Sequence, residues 1–369
     1  VKYYIISGEA SGDLHGSNLV KSIHQQDNLA QIRAWGGDRM EAAGSTIIKH
    51  YRDLAFMGFV EVIKHLGTIL NNLSFCKNDI SAFQPDVIVL IDYPGFNLRI
   101  AKWAKQQGFK VVYYISPQVW AWKEKRVQDI KKYVDELLVI LPFEVSFYKQ
   151  WGMDVTYTGH PLVQVIQEAK NNVQSIPAEK PIIAIIPGSR AQEINTKLPI
   201  MLSVVSHFPE YDFVIAQAPS LPIQLYKDLI GDLPVRLLQN DTYSLMQSAV
   251  AGMVTSGTAT LEAALFGLPQ VVCYKGNGLS FWIAKRLVKV KYISLVNLIM
   301  DKLVVKELIQ NDLNKQNLIS ALNDLLENTS TLQHLKQQYA SLWNILGSKN
   351  ASEIAATAVV KWATHPTTQ

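Results

Sequence analysis

Cysteine is scarce in this chain. Its 369 residues hold two, Cys76 and Cys273. They lie far apart, in neither a Cys-x-x-Cys pair nor a Cys/His array, which excludes a readable zinc site. Two buried, reduced thiols acting as small hydrophobes are expected. An excess of charge of one sign is also missing. The formal net charge is +4, from 35 Lys and Arg against 31 Asp and Glu, far from the clustered basic face of a nucleic-acid binder. Long apolar runs are absent too. Val87 to Ile91, Leu137 to Phe143 and Ile182 to Ile186 are short beside the ~20 residues needed to span a bilayer. The opening Val1-Lys2-Tyr3-Tyr4-Ile5-Ile6 is strand-like and too short for a signal-peptide core. A cytoplasmic protein is expected, with attachment to a membrane surface left open.

What is present suffices for sizeable cores: 48% of residues are hydrophobic and 18% charged. At ~150 residues per domain the length suggests two domains. Short β-branched runs alternate with helical patterns. Strands are expected at 3–7, 32–35, 87–92, 111–116, 136–141 and 155–157, with helices at 14–25, 59–75 and 98–107. This is the βαβ rhythm of a parallel sheet covered on both faces. It lapses near 161–180, where Asn171, Asn172, Ser175, Pro177 and Lys180-Pro181 read as a linker. It restarts with strands at 181–186, 212–217, 235–238, 250–254 and 270–274, and after about residue 300 the chain reads as all-helical. The fold class is α/β, with two Rossmann-like domains facing across a cleft and ligands at the carboxyl ends of the strands.

The motifs follow strands, as that edge requires. Ser7-Gly8-Glu9-Ala10-Ser11-Gly12-Asp13 comes after the first. Its glycines allow a tight turn and close approach to a ligand, and Ser11 or Asp13 is placed to cap the next helix. The plain alternative is an ordinary βα turn. In Ile91-Asp92-Tyr93-Pro94-Gly95-Phe96-Asn97, Asp92 ends a buried strand and points its carboxylate into the cleft, able to take a proton from an attacking hydroxyl. Its alternative is an Asp capping the next turn. Ser116-Pro117-Gln118-Val119-Trp120-Ala121-Trp122, followed by Lys123, Lys125 and Arg126, is either an aromatic wall for a sugar or acyl chain or a structural loop.

In the second half, Ile186-Pro187-Gly188-Ser189-Arg190 sets a guanidinium beside free backbone N–H groups, which suits a diphosphate. A helix-capping turn is the alternative. The run from Val254 through Ser256-Gly257-Thr258-Ala259-Thr260 to Glu262 is the most informative. Small hydroxylic residues and a glycine lead into a helix whose exposed N–H groups form an anion site, and Glu262 lies one turn in, where a carboxylate grips ribose hydroxyls. His160, in Gly159-His160-Pro161, reads as a turn residue more than a catalyst. Met57-Gly58-Phe59-Val60 opens a helix that is either core packing or a greasy surface. The stripe Lys285 to Lys291 either meets anionic headgroups or is a solvated face.

Together, GEASGD at 8–13, MGFVEV at 57–62, IDYPGFN at 91–97, SPQVWAW at 116–122, LPFE at 141–144, GHP at 159–161, PGSR at 187–190, SGTATLEAA at 256–264 and SLVNL at 294–298 make the chain resemble the lipid-A-disaccharide synthase family from Ser7 to about Gln310. The resemblance implies a GT-B-type fold with boundaries at 1–165 and 178–345, and C-terminal helices at about 346–369 crossing back to the first domain. It implies an inverting transfer of 2,3-diacylglucosamine from UDP to the 6-hydroxyl of 2,3-diacylglucosamine 1-phosphate, giving a β-1,6 disaccharide 1-phosphate and UDP. No cofactor and no metal enter this scheme. The implied place is the inner face of the cytoplasmic membrane, held peripherally, and a homodimer is left open.

Carried over residue by residue, Asp92 matches the family's candidate general base and Glu9 the acid of the first loop, so either is the base. Arg190 meets the donor diphosphate. Ser256, Gly257, Thr258, Ala259 and Glu262 match the nucleotide site, and Asn297, Glu307 and Gln310 match polar positions near uridine and diphosphate. Ser11, Met57, Phe59, Val60, Trp120 and Trp122 are the acceptor or lipid contacts. The chain departs from the family at Gly95, often a second Asp, and at Lys306, commonly Pro. The first departure removes a rival base; the second bears on the loop that carries Glu307 and Gln310. Two rivals stand beside this reading. One is another GT-B relative, such as a UDP-N-acetylglucosamine 2-epimerase or soluble-sugar transferase, which needs no greasy acceptor surface. The other is a UDP-binding or membrane-adaptor protein without catalysis, against which Asp92, Glu9 and Arg190 together argue.

Overall fold

The computed structural model describes residues 1–54, 66–122, 124–276, 291–347 and 350–365. They form two compact units. One holds Val1–Pro161 and the C-terminal helix Ala351–Thr364; the other begins at Leu162 and includes the helix Thr329–Leu346.

The first unit is built on a parallel sheet of β1 (Lys2–Ile6), β2 (Gln31–Gly36), β3 (Thr46–His50), β4 (Val87–Ile91), β5 (Val111–Tyr114), β6 (Glu136–Val139) and β7 (Thr156–Tyr157), in the order β3-β2-β1-β4-β5-β6-β7. The central strands are apolar at consecutive positions because helices cover both faces. Tyr4, Ile6, Ile88, Leu90 and Tyr113 share one core with Leu73, Cys76 and Ile80 of the helix Leu66–Phe83 and with Phe96, Ile100 and Ala104 of the helix Pro94–Gln106. The alternate residues Tyr3, Ile5, Val87, Val89, Val112 and Tyr114 pack against Leu19, Val20 and Ile23 of the helix Ala10–Gln26.

The C-terminal helix completes that second core with Ala355, Ala356, Val359 and Ala363. Its small residues let it lie close on the helix Ala10–Gln26. Asn350 caps its start, accepting from Ser352 N at 3.1 Å and Glu353 N at 3.2 Å. Trp362 Nε1 donates to Glu136 Oε2 at 3.2 Å and Lys110 Nζ to the Trp362 carbonyl at 3.0 Å, fastening its far end to the sheet.

The second unit has β8 (Ile182–Ile186), β9 (Asp212–Gln217), β10 (Val235–Gln239), β11 (Ala249–Thr255), β12 (Gln270–Tyr274) and β13 (Lys306–Ile309), all parallel, in the order β10-β9-β8-β11-β12-β13. β13 corrects the expectation of an all-helical chain after residue 300. It is a four-residue edge strand in which only Leu308 is buried, so it carries no apolar run to read. The edge strand β3, partly exposed along its length, escaped the sequence reading for the same reason. The stretch read as a linker opens with the helix Pro161–Lys170, and coil follows from 171 to 181.

In both sheets the strand order reverses beside the first strand, between β1 and β4 and between β8 and β11. Loops leaving such a pair diverge to opposite faces and open a crevice at the carboxyl edge.

Candidate active site

At the reversal point of the first unit the loops after β1 and β4 meet. Ser7 N donates to the Trp35 carbonyl at 2.9 Å, and the chain then passes Gly8. A Cβ on Gly8 would lie 2.4 Å from the Tyr93 ring, so only glycine fits beneath it. Glu9 occupies the N-cap of the helix Ala10–Gln26 without a side-chain capping bond, and it is exposed.

β4 runs into Asp92 and Tyr93, with φ of 43° and 51°. Each of these left-handed residues costs roughly 1–2 kcal/mol and persists only where its surroundings hold it. Here the Asp92 carbonyl accepts from Tyr113 Oη at 2.7 Å and from Asn97 Nδ2 at 2.7 Å, while Asp92 N donates to the Tyr114 carbonyl at 3.2 Å. Asn97 Nδ2 also reaches the Ile91 carbonyl at 3.2 Å. The backbone is thus pinned so that the Asp92 side chain stands at the crevice. Burial pushes its carboxyl up from 3.8 to about 6; the nearby Glu9 charge adds to the rise and the Tyr93 N–H opposes it. The two acids named from sequence therefore lie together, one exposed and one poised near neutrality.

Other expectations for this unit change. Asp13 does not cap its own helix. It is buried in that helix, and its carboxylate accepts from Gly37 N at 2.7 Å, Met40 N at 3.1 Å and Arg39 N at 3.2 Å, capping the helix Asp38–Ala42 instead. Ser11 does not hold the N-cap position either; it is exposed in the first turn.

Trp120 is no open wall. It is 7% exposed, packs edge-on against Phe143 at 4.9 Å and donates from Nε1 to Glu144 Oε1 at 3.3 Å. Glu144 also accepts from Leu141 N at 2.9 Å and Ile140 N at 3.2 Å. Burial lifts its carboxyl to about 7 against the pull of those donors. Its role as an anchor was legible only as an acid at the third helical position after Leu141. His160 is buried and held down to about 3 by desolvation, with His15 adding to the shift, so it stays neutral. Met57, Phe59, Val60, the Trp122 side chain and most of the basic stripe at 285–291 lie outside the described residues. On the adjoining helix Leu66–Phe83, Leu70 and Phe75 are exposed.

In the second unit, β8 and β11 are paired neighbours, Ile186 opposite Val254. After β8, Gly188 takes φ +120°, and a Cβ there would fall 2.3 Å from Glu193 Oε2. Arg190 follows at the N-cap of the helix Ala191–Leu202, without a side-chain cap and 62% exposed at its side chain. After β11, Gly257 takes φ +132° at the N-cap of the helix Thr258–Phe266, again without a side-chain cap. Thr258 is exposed and Ala259 and Ser256 are half-buried. Two helix N-termini without side-chain caps thus adjoin on neighbouring strands, each with N–H groups unspent among the described residues and the positive end of a helix dipole. Glu262, one turn in, accepts from Tyr243 Oη at 2.9 Å, and burial raises its carboxyl.

Asn297, Glu307 and Gln310 frame the next loops. Asn297 is buried; its Nδ2 donates to the Val305 carbonyl and Glu307 Oε1, both at 2.8 Å, and its Oδ1 accepts from Val304 N at 2.8 Å and Val305 N at 2.9 Å. Glu307 further accepts from Ser294 N at 2.9 Å, Ser294 Oγ at 2.8 Å and Ile293 N at 3.1 Å. These two side chains therefore bind each other and tie β13 to the helix Leu295–Met300. Lys306 is exposed at the start of β13. Gln310 Oε1 accepts from Gly276 N at 3.2 Å, and its Nε2 has no partner among the described residues. Among the described residues no cluster of three or more His, Cys, Asp or Glu is set to hold a metal ion, and no helix is long and apolar enough to cross a membrane.

Comparison with known proteins follows the same lines. A family model described as Lipid-A-disaccharide synthetase matches residues 3–360. The chain is 37% identical over 367 residues to a lipid-A-disaccharide synthase of Trichlorobacter lovleyi, covering 96% of each. It is 34% identical over 364 residues to one of Coxiella burnetii, again covering 96% of each. Among solved structures it resembles the UDP-GlcNAc 2-epimerase of Neisseria meningitidis bound to UDP-GlcNAc, with a TM-score of 0.68 at 15% identity, covering 98% of this chain and 100% of that one. It also resembles the glycotransferase of kitacinnamycin, with a TM-score of 0.67 at 12% identity, covering 98% and 99%. At such identities the structural likeness speaks for the fold alone.

Proposed function

The chain belongs to the Lipid-A-disaccharide synthetase family, and we propose that it joins UDP-2,3-diacylglucosamine to 2,3-diacylglucosamine 1-phosphate, forming the β-1,6 disaccharide 1-phosphate and releasing UDP. The observation that carries this reading is the pairing of β8 with β11, which sets Arg190 and two uncapped helix N-termini side by side. That is a cradle for a leaving diphosphate.

In the proposed mechanism the acceptor hydroxyl attacks the anomeric carbon as the bond to UDP breaks, in a single inverting displacement through an oxocarbenium-like transition state. Asp92 takes the hydroxyl proton. Its carboxyl, raised to about 6, is ionised near neutral pH yet basic enough to accept a proton. Glu9, whose charge adds to the rise that burial produces, is the alternative base. Charge building on the leaving diphosphate is met by Arg190 and the N–H groups opening at Gly257. Glu262 is assigned to the ribose. Gln310, whose Nε2 has no partner among the described residues, is assigned to the uridine or diphosphate, and Asn297 and Glu307 hold the frame. Exposed Leu70 and Phe75, on the helix that follows MGFVEV in the sequence, support a greasy surface on the first unit that meets the acyl chains and the inner face of the cytoplasmic membrane.

The test is UDP release with the acylated donor and acceptor together, and separately with UDP-N-acetylglucosamine. Acceptor-dependent release from the acylated pair alone is expected. Turnover of the plain sugar alone would move the chain to soluble-sugar chemistry.

A further inference from the structure

Lys197 is a buried cation for which neither the motifs nor the reaction so far has a use. It lies in the second turn of the helix Ala191–Leu202, and its side chain is 3% exposed. A lysine is almost never buried to that degree unless it is paired. Its Nζ donates to Thr255 Oγ1, on the last residue of β11, and lies 3.7 Å from Glu193 Oε2. The other oxygen of that carboxylate lies 3.9 Å from Arg190 Nη1. Glu193 therefore stands between an exposed guanidinium and a buried ammonium, wedged against the backbone of Gly188.

The charges decide what this arrangement does. Arg190 and Glu193 alone, three residues apart, would close into a neutral pair. The loop would then offer an anion no net charge, and a diphosphate would have to displace the carboxylate. With Lys197 behind it, one negative charge is shared by two cations and one positive charge remains on the open side. Arg190 is held by a long contact, not by a short bidentate one, and is free to turn to an incoming anion. The bond to Thr255, on the last residue of β11, holds the ammonium in that place behind the Glu193 carboxylate.

We propose that Lys197 is a positioning residue for the donor diphosphate: it occupies the Glu193 carboxylate from behind, so that the Arg190 guanidinium is oriented and electrostatically unspent. This rests on the assignment of Arg190 to the diphosphate.

Calorimetric titration with UDP tests it, on wild type, Arg190→Ala, Lys197→Met, Lys197→Arg and the double variant Arg190→Ala/Lys197→Met. Arg190→Ala weakens UDP binding. Lys197→Met weakens it about tenfold, the scale of one charge-assisted contact, and Lys197→Arg restores part of the loss. In the Arg190→Ala background Lys197→Met adds little, because its effect runs through the arginine. Wild-type affinity in Lys197→Met, or an equal loss in both backgrounds, overturns the proposal while leaving the Arg190 assignment intact. Wild-type affinity in Arg190→Ala overturns that assignment and the proposal with it. Should Lys197→Met not fold, Glu193→Gln/Lys197→Met carries the test. With no carboxylate competing for Arg190 its UDP affinity stays within about threefold of wild type, and a loss as deep as that of Arg190→Ala refutes the charge argument.

Discussion

Replacing Asp92 with Asn separates what the side chain does for chemistry from what it costs the fold. The folded Asp92 carboxyl lies at about 6 against 3.8 for an unperturbed one, a difference worth about 3 kcal/mol. The sign follows from proton counts. Between pH 3.8 and about 6 the folded protein holds a proton that the unfolded chain has lost, so stability falls as pH rises through that window. The penalty is absent well below 3.8 and complete above about 6. Asn keeps the shape and carries no charge, so the variant should gain roughly 0.5 kcal/mol at pH 4 and about 3 kcal/mol at pH 8. Urea unfolding followed by tryptophan fluorescence at both pH values measures the gap. Any preference of Asn for the left-handed backbone is independent of pH and drops out of the comparison. Turnover by the same variant should fall ~10²- to 10⁴-fold, the usual worth of a positioned base. In wild type, kcat/KM should lose about tenfold per pH unit below about 6, and Glu9→Gln should move that limb to lower pH, because the Glu9 charge helps raise Asp92. A stability gain that is nil at pH 8, or equal at both pH values, would refute the electrostatic reasoning. Unchanged turnover would remove Asp92 as the base.

Two further predictions come from groups that hold the site together. Asp13→Ala leaves Gly37, Arg39 and Met40 N–H without their acceptor and should cost about 2–3 kcal/mol in denaturant unfolding; a loss below roughly 0.5 kcal/mol, the level of an ordinary surface change, would mean the cap is dispensable. Asn297→Ala unties Val304, Val305 and Glu307 at once and should raise KM for the UDP donor more than it lowers kcat. Steady-state kinetics with an unchanged KM would show that this frame does not shape the donor site.

The sequence specifies the class of fold, since strands buried on both faces are apolar at consecutive positions, and VIVLI in β4 and IIAII in β8 are short β-branched runs of that kind with helical patterns between them. It also located the loops that follow those strands, because glycine, small hydroxylic residues and acids recur there for local reasons of turn geometry and helix termini. Asp92, Arg190 and the Gly257 turn were legible on those grounds, and Glu9 through the motif around it. The edge strands β3 and β13 were not, for a strand paired on one side and half exposed needs no apolar run.

Whatever depends on partners distant in the chain came only with folding. It sent Asp13 to a helix 24 residues away and turned Trp120 inward to Glu144. It bound Asn297 to Glu307, brought Glu9 and Asp92 to one reversal point, and set Lys197 behind Glu193. A side chain's charge, exposure and spare hydrogen bonds are set by neighbours that the strand order selects, and strand order is a property of the folded sheet, not of any stretch of sequence.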